Sequence, residues 1–193
     1  MAESANAEFF GFLHGRSAYP ANNAAVSVEA GTLLGSDYQR GGLRLNTRLG
    51  SVFTLYADLD AGDIGNADGA GFGAGFYLFL PRQPLVDLVD LSLRGSVHAA
   101  TLDAEGVDVD YLSVAADALV SGVEPMLENG FNWYASAGLA TISKDVDEVG
   151  SDDEIEALLS GGVYLPFGPG DVYCGLEYLD GTAFGAGYRF AIR

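Results

Sequence analysis

Residues 71–80 read GFGAGFYLFL, and this stretch decides the fold. Every second position carries an apolar side chain, at Phe72, Ala74, Phe76, Leu78 and Leu80, and the positions between them begin with three glycines. Successive side chains of a β-strand point to opposite faces, so a period of two predicts a strand with two different faces. A helix is disfavoured, because each glycine destabilises a helix by roughly 1 kcal/mol relative to alanine.

The same period of two recurs from about residue 24 to the end of the chain. Apolar and polar positions alternate in ten successive segments, which lie at 26–31, 43–49, 53–59, 72–80, 89–98, 112–121, 131–139, 156–165, 172–177 and 184–192. We therefore predict an all-β, closed antiparallel up-and-down barrel of ten strands over residues 24–193, with eight strands as the alternative. An even number is typical of single-chain bacterial barrels. For residues 1–23 a further short strand, a lid and a periplasmic tail all remain open.

The polar face of the predicted strands carries charges of both signs. Five of the nine basic residues share this face with six carboxylates: Arg40, Arg44, Arg48, Arg94, Arg189, Glu29, Asp58, Asp90, Asp117, Glu156 and Glu177. This mixture predicts an ion-pair network inside a barrel whose apolar face meets lipid, because a buried charge without a partner loses much of its solvation. In the alternative, a soluble barrel or sandwich, the apolar residues lie inside and these charges are solvated.

Composition excludes several classes of protein. The net charge of −18 argues against nucleic-acid binding, which depends on clustered Lys and Arg. No segment approaches the ~20 consecutive apolar residues of a transmembrane helix. The single Cys174 excludes an intramolecular disulfide framework. The sequence Ala5-Asn6-Ala7 resembles a signal-cleavage site but lacks the apolar segment that precedes one. We interpret Met1 as the start of a mature form from which an export signal has been removed.

The predicted connections between strands alternate in character. The odd-numbered connections, at 60–68, 103–110 and 145–154, are acidic, whereas the even-numbered ones, at 50–51, 81–84, 124–130 and 166–170, are short or rich in Pro and Gly. Antiparallel strands return to each rim in turn, so we expect acidic loops at one rim and turns at the other, as in outer-membrane barrels. The connections around 81–88 and 124–130 are longer than such turns usually are. Outward aromatic residues near strand ends fit membrane-interface girdles.

The acidic connections also suggest a cation site. The candidate ligands are Asp60, Asp63 and Asp68 in one connection and Asp145, Asp147, Asp152 and Asp153 in another. Calcium takes 6–8 oxygen ligands, which clustered carboxylates can supply. Neither group has EF-hand spacing, so we expect weak calcium or magnesium binding at most. The alternative is a pair of solvated, mutually repelling loops.

Evidence for catalysis is thin. His98 lies on the predicted polar face, two residues from Ser96 and near Asp103, which would make a nucleophile–base–orienter set. A histidine hydrogen-bonded to an interior carboxylate explains the same placement. Nucleophile-elbow, zincin and phosphate-loop motifs are absent. We therefore expect no enzymatic activity.

The pattern of residues 24–193 resembles the small bacterial outer-membrane barrels, the broad group of OmpA-like, OmpX-like and YfaZ-like proteins. Its closing segment, Gly185-Ala186-Gly187-Tyr188-Arg189-Phe190, resembles the C-terminal strand that the outer-membrane assembly machinery reads, although three residues follow Phe190. The resemblance implies a bacterial outer-membrane location, with membrane lipid and that assembly machinery as partners. It implies no activity.

Two function classes follow. The first is a non-enzymatic outer-membrane barrel that serves a structural role, displays loops, or forms a narrow channel for small solutes or cations. The second is a soluble or extracellular β-protein that acts as an assembly or interaction subunit. The side chains of a barrel of about eight strands fill its interior, and ten strands leave little more room, so a wide pore is not expected.

Overall fold

The computed structural model describes residue 18 and residues 25–36, 38–80, 89–104, 106–122, 131–146, 150–179 and 181–192. These residues form ten strands: β1 (Val26–Leu34), β2 (Tyr38–Leu49), β3 (Phe53–Ile64), β4 (Ala67–Leu80), β5 (Val89–Ala104), β6 (Val107–Gly122), β7 (Asn132–Val146), β8 (Gly150–Phe167), β9 (Gly170–Tyr178) and β10 (Thr182–Ile192). Consecutive strands are antiparallel neighbours, and β10 pairs with β1. The predicted closed up-and-down barrel, with ten strands, is confirmed. No helix within the described ranges is long and apolar enough to cross a membrane.

The strands are steeply tilted. A line of cross-strand partners that leaves β8 at Ile155 passes once around the barrel and returns to β8 at Phe167, twelve residues further along. An offset of this size tilts ten strands by about 40° from the barrel axis, within the range of outer-membrane barrels. The rim where β1 begins and β10 ends is called the terminal rim. The opposite one, the hairpin rim, carries the connections β1–β2, β3–β4, β5–β6, β7–β8 and β9–β10.

The apolar face of the sheet is on the outside. Of the side chains predicted to face lipid, six are exposed and Leu91 is half-buried: Leu43, Leu45, Leu93, Val114, Leu159 and Leu176 are 44–58% exposed. Arg44, Arg94 and Asp117, in contrast, are only 1%, 4% and 6% exposed. The alternative with solvated charges around an apolar core is therefore wrong. An apolar outer face of this kind suits contact with lipid, which solvates apolar side chains but does not solvate charges.

Outward aromatic residues occur near both rims. Phe131, Trp133 and Phe190 lie near the terminal rim, Phe72 and Phe184 lie towards the hairpin rim, and each is at least 41% exposed. Aromatic girdles of this kind mark the two membrane interfaces of outer-membrane barrels.

The segments predicted to be acidic loops are mostly strand, so that prediction was wrong. Residues 60–68 are the facing ends of β3 and β4, joined by Gly65 and Asn66 alone. Gly65 has a φ of 59°, in the left-handed region that glycine adopts without strain. The other two acidic segments are likewise the ends of β5–β6 and β7–β8. The alternation of inward and outward side chains continues through the acidic residues. Near these strand ends the outward side chains change from apolar to acidic, and the strand conformation persists. All three hairpins lie at the hairpin rim, as predicted.

The strands differ greatly in length. The four strands β5–β8 have 15 to 18 residues, whereas β1 and β9 have nine. A tilted strand crosses a membrane with about 9–11 residues. The surplus of about six residues, at 3.3 Å each and with the tilt, makes the β5–β8 wall project roughly 15 Å beyond the hairpin-rim ends of β1 and β9.

The interior is layered. Near the hairpin rim it holds buried apolar side chains: Leu33, Tyr38, Ile64, Leu102, Val109, Ile142, Leu158 and Leu179. Charged residues fill the middle, and tyrosine rings lie towards the terminal rim. Glycines on the inner face of β4 make room for these groups: a Cβ at Gly73 would collide with Asp58 and His98, and one at Gly75 with Tyr56.

Residues 1–23 lie outside the described residues, except for Ala18. Ala18 is buried, and its backbone N–H donates a hydrogen bond to Ser121 Oγ at 2.9 Å. Ser121 belongs to the inner face of β6 near the terminal rim. This part of the N-terminal segment therefore touches the barrel interior.

Candidate functional site: the polar interior

Two interior ion pairs join neighbouring strands. Arg44 of β2 lies directly opposite Asp58 of β3, and its Nε donates to Asp58 Oδ2 at 3.0 Å while a second guanidinium nitrogen contacts the same oxygen. Arg94 of β5 lies opposite Asp117 of β6, and its Nε donates to Asp117 Oδ1 at 2.9 Å while Nη2 contacts the other oxygen. The second pair is bidentate, the geometry that gives an arginine–carboxylate pair its strength and direction.

A third cluster joins Arg40, Asp60 and His98. Arg40 Nε donates to Asp60 Oδ1 at 2.6 Å, and His98 Nε2 lies 2.6 Å from Asp60 Oδ2. The predicted metal ligand Asp60 is thus an interior residue, because its inward parity continues from Asp58. Asp103 faces outward and is exposed, so it does not orient His98. Asp103 therefore does not complete a nucleophile–base–orienter set with His98 and Ser96, and His98 makes the interior hydrogen bond to a carboxylate that was the other explanation of its placement.

Glu29 of β1 is the centre of a fourth group. Asn46 Nδ2 donates to its Oε1 at 2.8 Å, and the Tyr173 hydroxyl donates to its Oε2 at 3.4 Å. Arg189 Nη1 lies 4.0 Å from Glu29, and Arg189 Nε lies 3.6 Å from Asp171. Asp171 was not among the predicted members, although its inward parity on β9 could have revealed it.

The remaining predicted members also lie on the inner face of the sheet. Asp90 is buried near the terminal rim, and Arg48 and Glu156 are half-buried. Glu156 makes no ion pair with the described residues. Glu177 is 2% exposed, yet neither of its oxygens has a hydrogen-bond partner in the part of the chain that the structure describes. The structure therefore brings Glu29, Arg44, Asp58, Arg94, Asp117 and Arg189 into contacts of the predicted kind and leaves Glu177 outside them.

The other metal candidates are dispersed near the hairpin rim. Asp63, Asp68, Asp145 and Asp153 are exposed on the outer face of the sheet, Asp152 is exposed on the inner-face side of β8, and Asp147 lies outside the described residues. Asp60 cannot join Asp63 and Asp68, since it points to the opposite face of the sheet. Among the described residues, no three His, Cys, Asp or Glu side chains are grouped as a metal ion requires.

The exterior carboxylates instead form a row across the sheet. Asp63 lies opposite Asp68, Asp68 opposite Asp103, and Asp103 opposite Asp108. Asp110 and Asp145 form a second such pair. Like charges directly opposite each other repel. This row marks where the outward face changes from apolar to acidic and therefore where the lipid-facing surface ends.

The architecture is that of an outer-membrane β-barrel. A solved structure, OmpTdeltaL8 (loop L8 deletion mutant of OmpT), an outer membrane protein of Vibrio cholerae, is similar to this chain with 18% sequence identity and a TM-score of 0.42. The match covers 88% of this chain and 60% of that chain. No protein-family model and no curated protein matches the chain.

Proposed function

We propose that this protein is a non-enzymatic outer-membrane barrel that anchors a protruding acidic sheet and does not conduct solutes. The observation that carries the proposal is the contrast between a filled interior and the overlong β5–β8 wall. A barrel that served as a channel would need an unobstructed lumen, whereas a barrel that displays a surface needs a rigid base and an element that extends beyond the lipid.

The filled interior supports the non-conducting role. The largest fully buried side chains, less than 2% exposed, come from all around the barrel: Arg40, Arg44, Tyr134, Tyr164, Tyr173, Leu33, Leu102, Leu119 and Leu158. An apolar layer near one rim, next to an ionic layer in the middle, opposes the passage of hydrated ions. The narrow cation channel is therefore the second choice.

The projecting wall supports a display role. Its outward carboxylates are exposed, and their field would attract cationic partners and repel anionic ones. Gly150–Leu158 of β8 pairs with β7, whereas β9 begins to pair with β8 only at Leu159. Among the described strands this edge has one neighbour, so its outer backbone groups are available to an added strand.

The position of His98 supports the non-enzymatic part of the proposal. The one described histidine, His98, is buried and is held by Asp60 in the interior. A general base must reach the proton that it removes from a substrate. The filled lumen gives a substrate no approach to this ring.

Bacterial outer-membrane residence, insertion by the assembly machinery and exposure of the hairpin rim to the medium belong to this proposal. The outward apolar surface and the projecting hairpins support them, since outer-membrane barrels extend further on the extracellular side. An epitope inserted beside Gly106, in the β5–β6 turn, should be reached by antibody on intact cells. Labelling that requires permeabilised cells would contradict this orientation.

Reconstitution into planar bilayers tests the non-conducting role. We expect no single-channel steps from the wild type, and a mobility shift on boiling in detergent gels should verify that the barrel is folded. A Leu102→Ala, Ile142→Ala double variant, which thins the apolar layer, is the matched control and should raise ion leakage. Steady cation-selective steps from the wild type would instead establish the narrow channel.

A further inference from the structure

Glu177 is a buried carboxylate whose two oxygens have no hydrogen-bond partner among the described residues. The charged groups that act on it through space are Arg94, Asp117 and Arg44. Arg94 is already held by Asp117, and Arg44 by Asp58. When both carboxyl groups are ionised, Glu177, Asp117 and Arg94 together therefore carry one net negative charge. Among the described residues the fully buried charges show the same sign of imbalance, with six carboxylates against four arginines.

The surroundings of Glu177 offer neutral oxygen atoms. Its cross-strand partner on β8 is Ser160, whose own partner on β7 is Ser136, and the two serine hydroxyls are 2.7 Å apart. Tyr134 is 2% exposed, and its hydroxyl has no hydrogen-bond partner in the described structure. That hydroxyl lies over Gly162 and Gly175, where an added Cβ would approach it to 2.6 Å and 2.5 Å. Gly175 is two residues from Glu177 on the same inner face.

These features define a site with one uncompensated negative charge and oxygen donors. A buried carboxylate requires a compensating charge, and a buried hydroxyl requires a hydrogen-bond or coordination partner. Hard cations prefer oxygen ligands, and calcium normally takes several carboxylates, whereas one net charge matches a monovalent ion. We propose that Glu177, Ser160, Ser136 and the Tyr134 hydroxyl bind one monovalent cation of the sodium or potassium class inside the barrel. The site does not depend on the display role.

Thermal unfolding in detergent at fixed neutral pH and fixed ionic strength tests the site. Sodium chloride or potassium chloride is substituted stepwise for N-methyl-D-glucamine chloride, whose cation is too large for the interior. The unfolding temperature of the wild type should rise with the logarithm of the ion concentration above its dissociation constant, by on the order of 5 °C at about a hundredfold excess. The Glu177→Gln variant should lose this response.

Glu156→Gln is the matched control, because Glu156 is an inner-face carboxylate of β8 outside the site, and it should keep the wild-type response. If Glu177→Gln does not fold, Tyr134→Phe removes one oxygen ligand and keeps the ring, and it should raise several-fold the salt concentration at which the unfolding temperature begins to increase. The proposal is overturned if sodium, potassium and N-methyl-D-glucamine stabilise the wild type equally. It is also overturned if only a lower pH stabilises the protein, since Glu177 would then hold a proton.

Discussion

Two walls of the barrel interior differ in whether their buried charged side chains have partners. On the wall formed by β2 and β3, Arg44 and Asp58 pair directly, and Asp60 contacts both Arg40 and His98. On the wall formed by β7, β8 and β9, Glu177 is equally buried but has no hydrogen bond within the described structure. Both walls place their polar residues on the inner face, so the difference arises in how the strands are aligned.

Register accounts for this difference. Arg44 lies opposite both Asp58 and Glu29, Arg94 lies opposite Asp117, and Arg189 lies opposite Glu29 and Asp171. Glu177 lies opposite Ser160 and Ala183, neither of which is charged. Side chains directly opposite each other on one face have Cβ atoms about 4.5–5.5 Å apart, close enough for an ion pair. Inward placement alone therefore buries a charge, and alignment decides whether it finds a partner.

The largest expected effect is that of removing one partner of an interior ion pair. Asp117→Ala leaves Arg94 buried without its bidentate partner and should lower the free energy of unfolding in detergent by about 3–5 kcal/mol. Asp153→Ala, which removes an exposed carboxylate, should change it by less than about 0.5 kcal/mol. Similar small losses from both variants would show that the interior pair is not a structural requirement.

A steric change should separate the inner face of the sheet from its outer face. Gly75→Ala on the inner face of β4 drives a methyl group into the Tyr56 ring and the Gly95 carbonyl and should destabilise the barrel by about 1–3 kcal/mol. At Gly161 on the outer face of β8 a Cβ would have its nearest neighbour at 3.5 Å, so Gly161→Ala should be tolerated. Urea unfolding of the two variants side by side measures this difference, and equal effects would contradict the packing described for β4.

For Glu177, which has no ion-pair partner among the described residues, the change in the free energy of unfolding should have the opposite sign. Glu177→Gln removes a buried charge without breaking an ion pair, so in sodium- and potassium-free buffer it should raise the free energy of unfolding by about 1–2 kcal/mol. Asp117→Asn in the same buffer should lower it, because the substitution takes the charge from an existing pair. A loss of stability in both variants would mean that Glu177 has a favourable partner after all.

The smallest effect is expected outside the barrel, where register opposes like charges. Asp68 lies between Asp63 and Asp103, so Asp68→Asn should raise stability by about 0.5 kcal/mol at low ionic strength. High salt should remove the gain, since exposed charges are screened. Calcium titration of the wild type checks the earlier expectation of weak binding here, and a calcium-dependent stabilisation at fixed ionic strength that Asp68→Asn abolishes would show that the row binds the ion.

Much of the fold was predictable from local pattern, and the errors have one physical source. The alternation in residues 71–80 and its repeats correctly predicted the strands, their number and their outward faces. Asp60 was assigned to a loop because the acidic residues around it looked like a solvated connection. Its inward parity relative to Asp58 and the two-residue Gly65–Asn66 turn were the signals that would have corrected this.

By itself the sequence determined which residues share a face, because the period of two is a property of each strand alone. Arg44, Asp58, Arg94, Asp117 and Glu177 all lie on the inner face for this reason. Only the tertiary structure decided which side chains lie opposite each other, through the register of ten closed strands and their twelve-residue offset. It places Arg94 opposite Asp117, Glu177 opposite a serine, and four aspartates in one exterior row. Closure sets these alignments for the whole sheet at once, so no single strand could reveal them.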